Sequence, residues 1–374
     1  MSKKILILIT HSLGELDVVF PIFSRIFSEQ KVEVELVFTV DTIFNKFKRD
    51  DFYQFFVKKY KIKSFFCKIY KYKSFNDTSM RERLLVSVKN LIIFLYNAKI
   101  LFLTKKAVLA DVFMHEHTNQ LSSNWLLYLY RFLLNKKIFV YSHGHSIHSA
   151  SVRIPTVFAH KSTVLSFDNY AKKYWNELGY CSQFVIGYPK FYPEWVEVIE
   201  NYLTQSRNKE EFVLIYSRPI HEYFMDQDKY MKLLISSCES IRSKFNNILI
   251  IIKPHPRESE DFIRKIFTDN NIENIEISYD TTLSYSKFCI LSISFWTSAI
   301  LDSLSGGTPT LEYYIEAEKF RESEPIGSEF KKLGIISVDN KSDLCYYISN
   351  MNQLKSNNAV AVKKFTRNIN TGFL

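Results

Sequence analysis

Two short segments in the second half of the chain gather residues suited to holding an anion. The first is Lys253-Pro254-His255-Pro256-Arg257-Glu258, which follows the apolar run 248–252. Prolines on both sides keep His255 out of helical geometry. Lys253, His255 and Arg257 then stand as three donors at one strand end, a set that suits phosphate. The plainer alternative is a histidine in a stiff turn with solvated charges. The second segment is Ser292-Ile293-Ser294-Phe295-Trp296-Thr297-Ser298, hydroxyl residues where a strand gives way to a helix. Unpaired backbone N–H groups and the helix dipole favour an anion there, although Ser and Thr also serve as ordinary N-caps. Gly306-Gly307 closes that helix, and Thr308-Pro309 turns into the next strand, which delivers Glu312.

The first half has a histidine-rich part. His115, His117, His143, His145 and His148 account for five of the nine histidines and lie near two consecutive expected strand ends. A zinc site built from His-x-His and Glu116 is one reading. The favoured one is that these strand ends contact an acceptor and supply a base, with Glu116 or His143 taking a proton near neutral pH. Glu15 and Asp17, after the first strand, are a third option, and His145 joins Glu15 on the acceptor side.

The combination of Lys-Pro-His-Pro-Arg-Glu and the later Ser-x-x-Thr-Ser-x-x-x-Asp-x-x-x-x-Gly-Thr-Pro helix resembles the C-terminal domain of bacterial surface-glycan transferases of GT-B fold. That group includes CDP-glycerol glycerophosphotransferases and capsule polysialyltransferases. The resemblance covers about residues 211–315; the first half matches in layout and in His143-Gly144 after a strand. It implies that His255 and the Thr297-Ser298 pair hold the donor phosphate, with Lys253, Arg257, Ser217, Ser294 and Glu312 around it. Polysialyltransferase-like proteins point to Glu116 as base and glycerophosphotransferase-like ones to His143. The implied activity is transfer of a sugar or polyol phosphate from a nucleotide-activated donor, CMP- or CDP-linked, to a cell-surface polysaccharide or lipid-linked glycan. No cofactor or metal is expected, because a helix N-terminus and basic side chains neutralise the leaving phosphate and the sequence is read as lacking an Asp-x-Asp pair to hold a divalent ion. Two further classes compete: a nucleotide-sugar epimerase or hydrolase of similar build, and a non-catalytic nucleic-acid-binding protein.

The elements that must position these residues alternate strand and helix. Strands are expected at 4–10, 32–40, 111–114, 137–141 and 163–167, and again at 211–217, 247–253, 275–279, 288–293, 310–313 and 334–338. Helices lie between, at 16–27, 43–60, 80–103, 121–134, 169–178, 194–203, 228–245, 260–270, 296–304 and 342–351. This predicts an α/β protein of two doubly wound, parallel-sheet, Rossmann-like domains facing a cleft, residues 1–190 on the acceptor side and 205–374 binding the donor. At 374 residues, 47% hydrophobic and 24% charged, the composition excludes a disordered or collagen-like chain. Five scattered cysteines without a Cys-x-x-Cys argue against a disulfide framework and for a reducing cytoplasm.

The net charge of +10 is concentrated in residues 44–110, which hold sixteen Lys and Arg against four Asp and Glu. Within 44–75 the lysines alternate with Phe and Tyr. No nucleic-acid motif accompanies the stretch, so a nucleic-acid surface ranks below an inner-leaflet membrane surface. A peripheral position at the cytoplasmic face follows, since no segment reaches the ~20 apolar residues of a span. The bland alternative makes the rings core and the lysines solvated.

Overall fold

Apolar runs without alternation become parallel strands, buried on both faces where they lie inside a sheet. The computed structural model describes residues 3–9, 12–67, 79–96, 107–111, 137–141, 162–167, 175–176, 180, 182–203, 211–221, 225–255, 257–279, 282–315 and 328–365. The chain divides into two compact units, Met1 to Val198 and Ile199 to Arg367.

The first unit carries β1 (Lys3–Ile9), α1 (Gly14–Glu29), β2 (Val32–Phe38), α2 (Asp41–Arg49), α3 (Asp51–Lys59), β3 (Lys63–Phe66), α4 (Met80–Tyr96), β4 (Ala107–Asp111), β5 (Lys137–Tyr141), β6 (Ser162–Ser166) and β7 (Ser182–Val185). Its sheet runs β3-β2-β1-β4-β5-β6-β7, with every neighbouring pair parallel. The single helix expected over 43–60 is two. Asp50 breaks it in extended geometry and caps α3, its carboxylate accepting the Tyr53 N–H at 3.0 Å. The strand expected at 111–114 is Ala107–Asp111 instead, because the apolar Ala107-Val-Leu-Ala is what fits between β1 and β5.

The Lys/aromatic stretch resolves into an inside and an outside. Phe47, Phe52, Tyr53 and Phe56 are buried, whereas Lys46, Lys48, Lys58, Lys59, Lys61 and Lys63 are exposed. Phe56 stacks on Phe20 at 4.0 Å between ring centres, Tyr60 stacks on Phe27 at 4.6 Å, and Phe52 meets Trp195 edge-on at 5.6 Å. Within residues 44–67 these packed rings are therefore core, which corrects the reading that they insert into a membrane. Among the described residues of the first unit, the exposed large apolar side chains are on α4, where Met80, Leu84, Leu85, Val88, Leu91 and Ile92 are each 46–89% accessible. No helix among the described residues is long and apolar enough to cross a membrane.

Helix α5 (Pro193–Leu203) leads into the second unit, which carries β8 (Phe212–Tyr216), α6 (Gln227–Lys244), β9 (Leu249–Lys253), α7 (Glu260–Asp269), β10 (Ile275–Ile277), α8 (Leu283–Ser286), β11 (Leu291–Ser294), α9 (Ile300–Ser305), β12 (Thr310–Tyr313), α10 (Glu329–Lys332), β13 (Ser337–Val338), α11 (Lys341–Ser349) and α12 (Met351–Phe365). Strand order is β10-β9-β8-β11-β12-β13 and all pairs are parallel. This is the doubly wound order 3-2-1-4-5-6, with the reversal between β8 and β11. Helix α12 was not anticipated. Its buried Asn358 accepts the Thr310 N–H at 2.8 Å and donates to the Thr310 carbonyl at 2.9 Å, pairing with β12 as a strand would.

Candidate functional site

In a doubly wound sheet the crevice opens at the carboxyl ends of the strands flanking the reversal. Register places Lys253, Tyr216, Ser294, Glu312 and Ser337 in one row across β9, β8, β11, β12 and β13. Lys253, Ser294 and Glu312, three of the residues picked out from sequence, thus share one edge. Ser217 follows that row directly, and its N–H donates to the Lys253 carbonyl at 3.2 Å.

The loop after β9 is a tight turn. The Glu258 N–H donates to the His255 carbonyl at 2.9 Å, and the Arg257 N–H donates to His255 Nδ1 at 3.2 Å. An accepting Nδ1 assigns the proton of the neutral ring to Nε2. Arg257 is exposed; His255 and Lys253 are half-buried. The Lys253 ammonium stands 6.0 Å from the Tyr279 ring centre. Ser259 caps α7, accepting the Phe262 N–H at 3.4 Å.

The turn after β11 differs from the expected helix start. Helix α9 begins at Ile300, so Thr297 and Ser298 occupy the turn before it, with Ile300 and Leu301 N–H groups donating to their carbonyls at 3.1 and 3.2 Å. Ser294 is fully buried, and its hydroxyl accepts the Thr297 N–H at 3.2 Å. It shapes the turn from beneath. The Ser298 hydroxyl has no hydrogen-bond partner among the described residues and is half-buried. Gly307 closes α9 at φ +76°, a left-handed conformation suited to glycine.

Glu312 is fully buried, and its Oε2 accepts the Ser328 and Ser337 hydroxyls at 2.5 and 2.7 Å. The Ser217 hydroxyl donates to both carboxylate oxygens of Glu258, at 2.9 and 3.0 Å. Tyr230 also donates to Glu258, at 2.7 Å. Burial pushes the Glu258 carboxyl above the ordinary glutamate range, while these donors and the charge of Arg218 pull it back. Glu258, Tyr230 and Arg218 were not singled out from sequence. The spacing of Glu258, three residues after His255, resembles a capping pair and is the signal that could have found it.

In the first unit Glu15 is fully buried and accepts the Ser12 N–H at 3.1 Å, while the Glu15 N–H donates to the Ser12 carbonyl at 3.3 Å. Asp17 accepts the Tyr53 hydroxyl at 2.8 Å. Glu116, His143 and His145 lie outside the described residues, as do His115, His117 and His148. Among the described residues no group of three or more His, Cys, Asp or Glu could hold a metal ion. The chain does contain an Asp-x-Asp spacing, Asp226-Gln227-Asp228. It is a helix cap: Asp226 accepts the Lys229 N–H at 2.8 Å and pairs with its ammonium at 3.0 Å, which holds the carboxyl below its usual range.

No protein-family model matches the chain, and no curated protein matches it in sequence. Solved structures match along nearly its whole length. A UDP complex of Staphylococcus aureus MnaA superposes with a TM-score of 0.59 at 13% identity, covering 96% of this chain and 91% of the other. UDP-GlcNAc 2-epimerase of Neisseria meningitidis bound to UDP-GlcNAc gives 0.56 at 11%, covering 98% and 95%. A glycosyltransferase of Rickettsia africae gives 0.52 at 13%, covering 99% and 95%. These likenesses establish the fold, two Rossmann-like units of the GT-B type.

Proposed function

We propose that this chain is an enzyme acting on a nucleotide-activated sugar, whose nucleotide phosphates bind the second unit between the His255 loop and the Thr297-Ser298 turn. The observation that carries this is the row of strand ends at the sheet reversal, with His255 and Arg257 on one flank and the Ser298 hydroxyl on the other. Such a place offers N–H, hydroxyl and guanidinium donors to an anion.

Of the chemistries open to such a site, epimerisation or hydrolysis leads. Support comes from the structures named UDP-GlcNAc 2-epimerase, which match this chain from end to end. The UDP in those structures moves the expected nucleotide from cytidine to uridine. An epimerase returns the nucleotide still attached to an altered sugar; a hydrolase breaks the sugar–phosphate bond with water and frees the nucleotide. The second reading is transfer to a glycan acceptor, favoured by the spacing between Lys253–Glu258 and Thr297-Ser298. In that case an acceptor oxygen attacks the activated carbon or phosphorus and the nucleotide leaves with the bonding electrons. Its proton goes to a base, Glu116 or His143 being the candidates.

The surface also supports a peripheral membrane position for a transferase. Exposed lysines of α2, α3 and β3 would meet anionic headgroups, and the apolar side chains of α4 would insert.

Incubation with UDP-, CDP- and CMP-activated sugars, read by chromatography and sugar proton NMR, tests all readings together. Conversion to an isomeric nucleotide sugar is expected for the epimerase. Free nucleotide without acceptor marks the hydrolase, and free nucleotide only with acceptor the transferase. Absence of binding to every nucleotide overturns the proposal.

A further inference from the structure

We infer that Glu258 is the positioning residue of the His255 loop, a half-buried carboxylate that ties this loop to the end of β8 and to α6 and so fixes the imidazole at the sheet reversal. The inference rests on the reading that His255 contacts the phosphates.

Three hydrogen-bond donors from three separated parts of the chain converge on the Glu258 carboxylate. The Ser217 hydroxyl, 41 residues away in sequence, donates to both oxygens. The Tyr230 hydroxyl, 28 residues away on α6, donates to Oε1 at 2.7 Å. The His255 N–H donates to Oε2 at 2.5 Å, and the Glu258 N–H returns to the His255 carbonyl at 2.9 Å. The last two bonds make a reciprocal pair like a capping box, closing the backbone around His255. Arg218, the residue after Ser217, adds an attractive charge.

The physical consequence is a loop whose turn depends on this side chain. Without the carboxylate, the His255 N–H and the hydroxyls of the buried Ser217 and Tyr230 lose their acceptor together, and each lost partner costs desolvation. The loop would then leave the turn that aims the Arg257 N–H at His255 Nδ1. Both the ring orientation and its tautomer depend on that turn. Glutamine is the instructive replacement. Its amide oxygen can still accept the His255 N–H, and its NH2 can donate to the Ser217 and Tyr230 hydroxyls once these rotate. Charge is lost while the tie is kept.

Glu258→Ala and Glu258→Gln are compared with the unchanged protein by two readouts. The first is NMR: imidazole nitrogen shifts report the His255 tautomer, and amide exchange reports the His255 N–H. Glu258→Ala should mix the tautomers and speed exchange of the His255 amide, and Glu258→Gln should leave both close to the original. The second is UDP titration, where Glu258→Ala should bind about tenfold more weakly or worse and Glu258→Gln within about threefold. If Glu258→Ala keeps the tautomer, the amide protection and the affinity, the inference is overturned. It is equally overturned if Glu258→Gln fails in both readouts as badly as Glu258→Ala, since charge and not the tie would then matter. If the unchanged protein binds no UDP, the reading of the site fails and the NMR readout alone decides the role of Glu258. Should Glu258→Ala not fold, Tyr230→Phe and Ser217→Ala each remove one donor to the same carboxylate. Each should speed His255 amide exchange, and no change in either overturns the inference.

Discussion

The Arg218 guanidinium lies over the Trp296 ring, 4.3 Å from its centre, while its Nη1 donates to the Trp296 carbonyl at 3.3 Å. These residues follow the two strands on either side of the sheet reversal. Trp296 sits at φ +57°, a left-handed conformation that a bulky residue adopts only under constraint. Its ring also packs 5.2 Å from Tyr314. The guanidinium therefore clamps the turn that presents Thr297 and Ser298. Arg218→Ala should destabilise the protein by about 1–3 kcal/mol, the sum of a partly desolvated cation–π contact and a charged hydrogen bond. Arg218→Lys should recover little, because an ammonium cannot stack and bond in the same plane. Urea unfolding of the three proteins measures this.

Replacing His255 by Ala should cost one charge-assisted contact to phosphate, about 2–4 kcal/mol in the transition state. That corresponds to a roughly hundredfold or greater loss in kcat/KM. Near-normal turnover in a folded His255→Ala protein would remove His255 from the site.

Much of this site was legible because its residues follow apolar strands whose ends can be read directly. The runs before Lys253 and before Ser217, and the strand that delivers Glu312, fall where expected to within two residues. What was hidden depends on partners distant in sequence. Nothing local says that the Ser217 hydroxyl is directed to Glu258, or that Tyr230 joins it from α6. The edge strand β3 was missed because its Lys-Ser-Phe-Phe sits inside a charged stretch and needs β2 to define it. Edge strand β7 went unread for the same reason: its four residues pair only with β6. For the rings at Phe52 and Phe56 the lysine-rich pattern leaves two readings open, a surface feature or core. Only packing on Phe20 and Trp195 reveals them as core.

Activity should persist in excess EDTA. The Asp226-Gln227-Asp228 spacing is at a helix start, with Asp226 committed to Lys229. The site proposed for the phosphates offers cationic and N–H donors for the charge. Loss of turnover that returns only on adding Mg²⁺ or Mn²⁺ would reassign the histidine-rich segment as a metal site.

Glu258 should leave a signature in the pH dependence of stability. Its carboxyl is raised above the ordinary value of 4.5, chiefly by burial. A raised carboxyl binds its proton more tightly in the folded state, so its contribution is fully present below the unfolded value and declines as pH rises through the folded one. Relative to Glu258→Gln, which does not titrate, the unchanged protein should gain stability as pH is lowered from 7 through the carboxylate range. Thermal melts of both proteins between pH 4 and pH 7 measure the difference; parallel curves would refute the shift.

Membrane binding separates two surfaces of the first unit that the sequence had merged. The lysines at 46, 48, 58, 59, 61 and 63 are exposed, but the rings among them at 47, 52, 53 and 56 are buried. Among the described residues of the first unit, the exposed apolar side chains that can insert are those of α4, whose residues at 84, 88 and 91 recur at helical spacing. Each engaged lysine contributes about 1 kcal/mol at an anionic surface, so roughly five suffice for reversible binding. Co-sedimentation with anionic vesicles is therefore expected at low salt and should fade at high salt as the charges are screened. Reversal of Lys58, Lys59, Lys61 and Lys63 to Glu should abolish it. Leu84→Ser with Leu91→Ser should weaken it at both salt concentrations, because insertion is not screened. Phe56→Ala should instead cost about 3–5 kcal/mol of folding stability, since its ring stacks on Phe20 in the core. No pelleting at low salt, or pelleting that needs neither the lysines nor α4, would remove the membrane from the account of this surface.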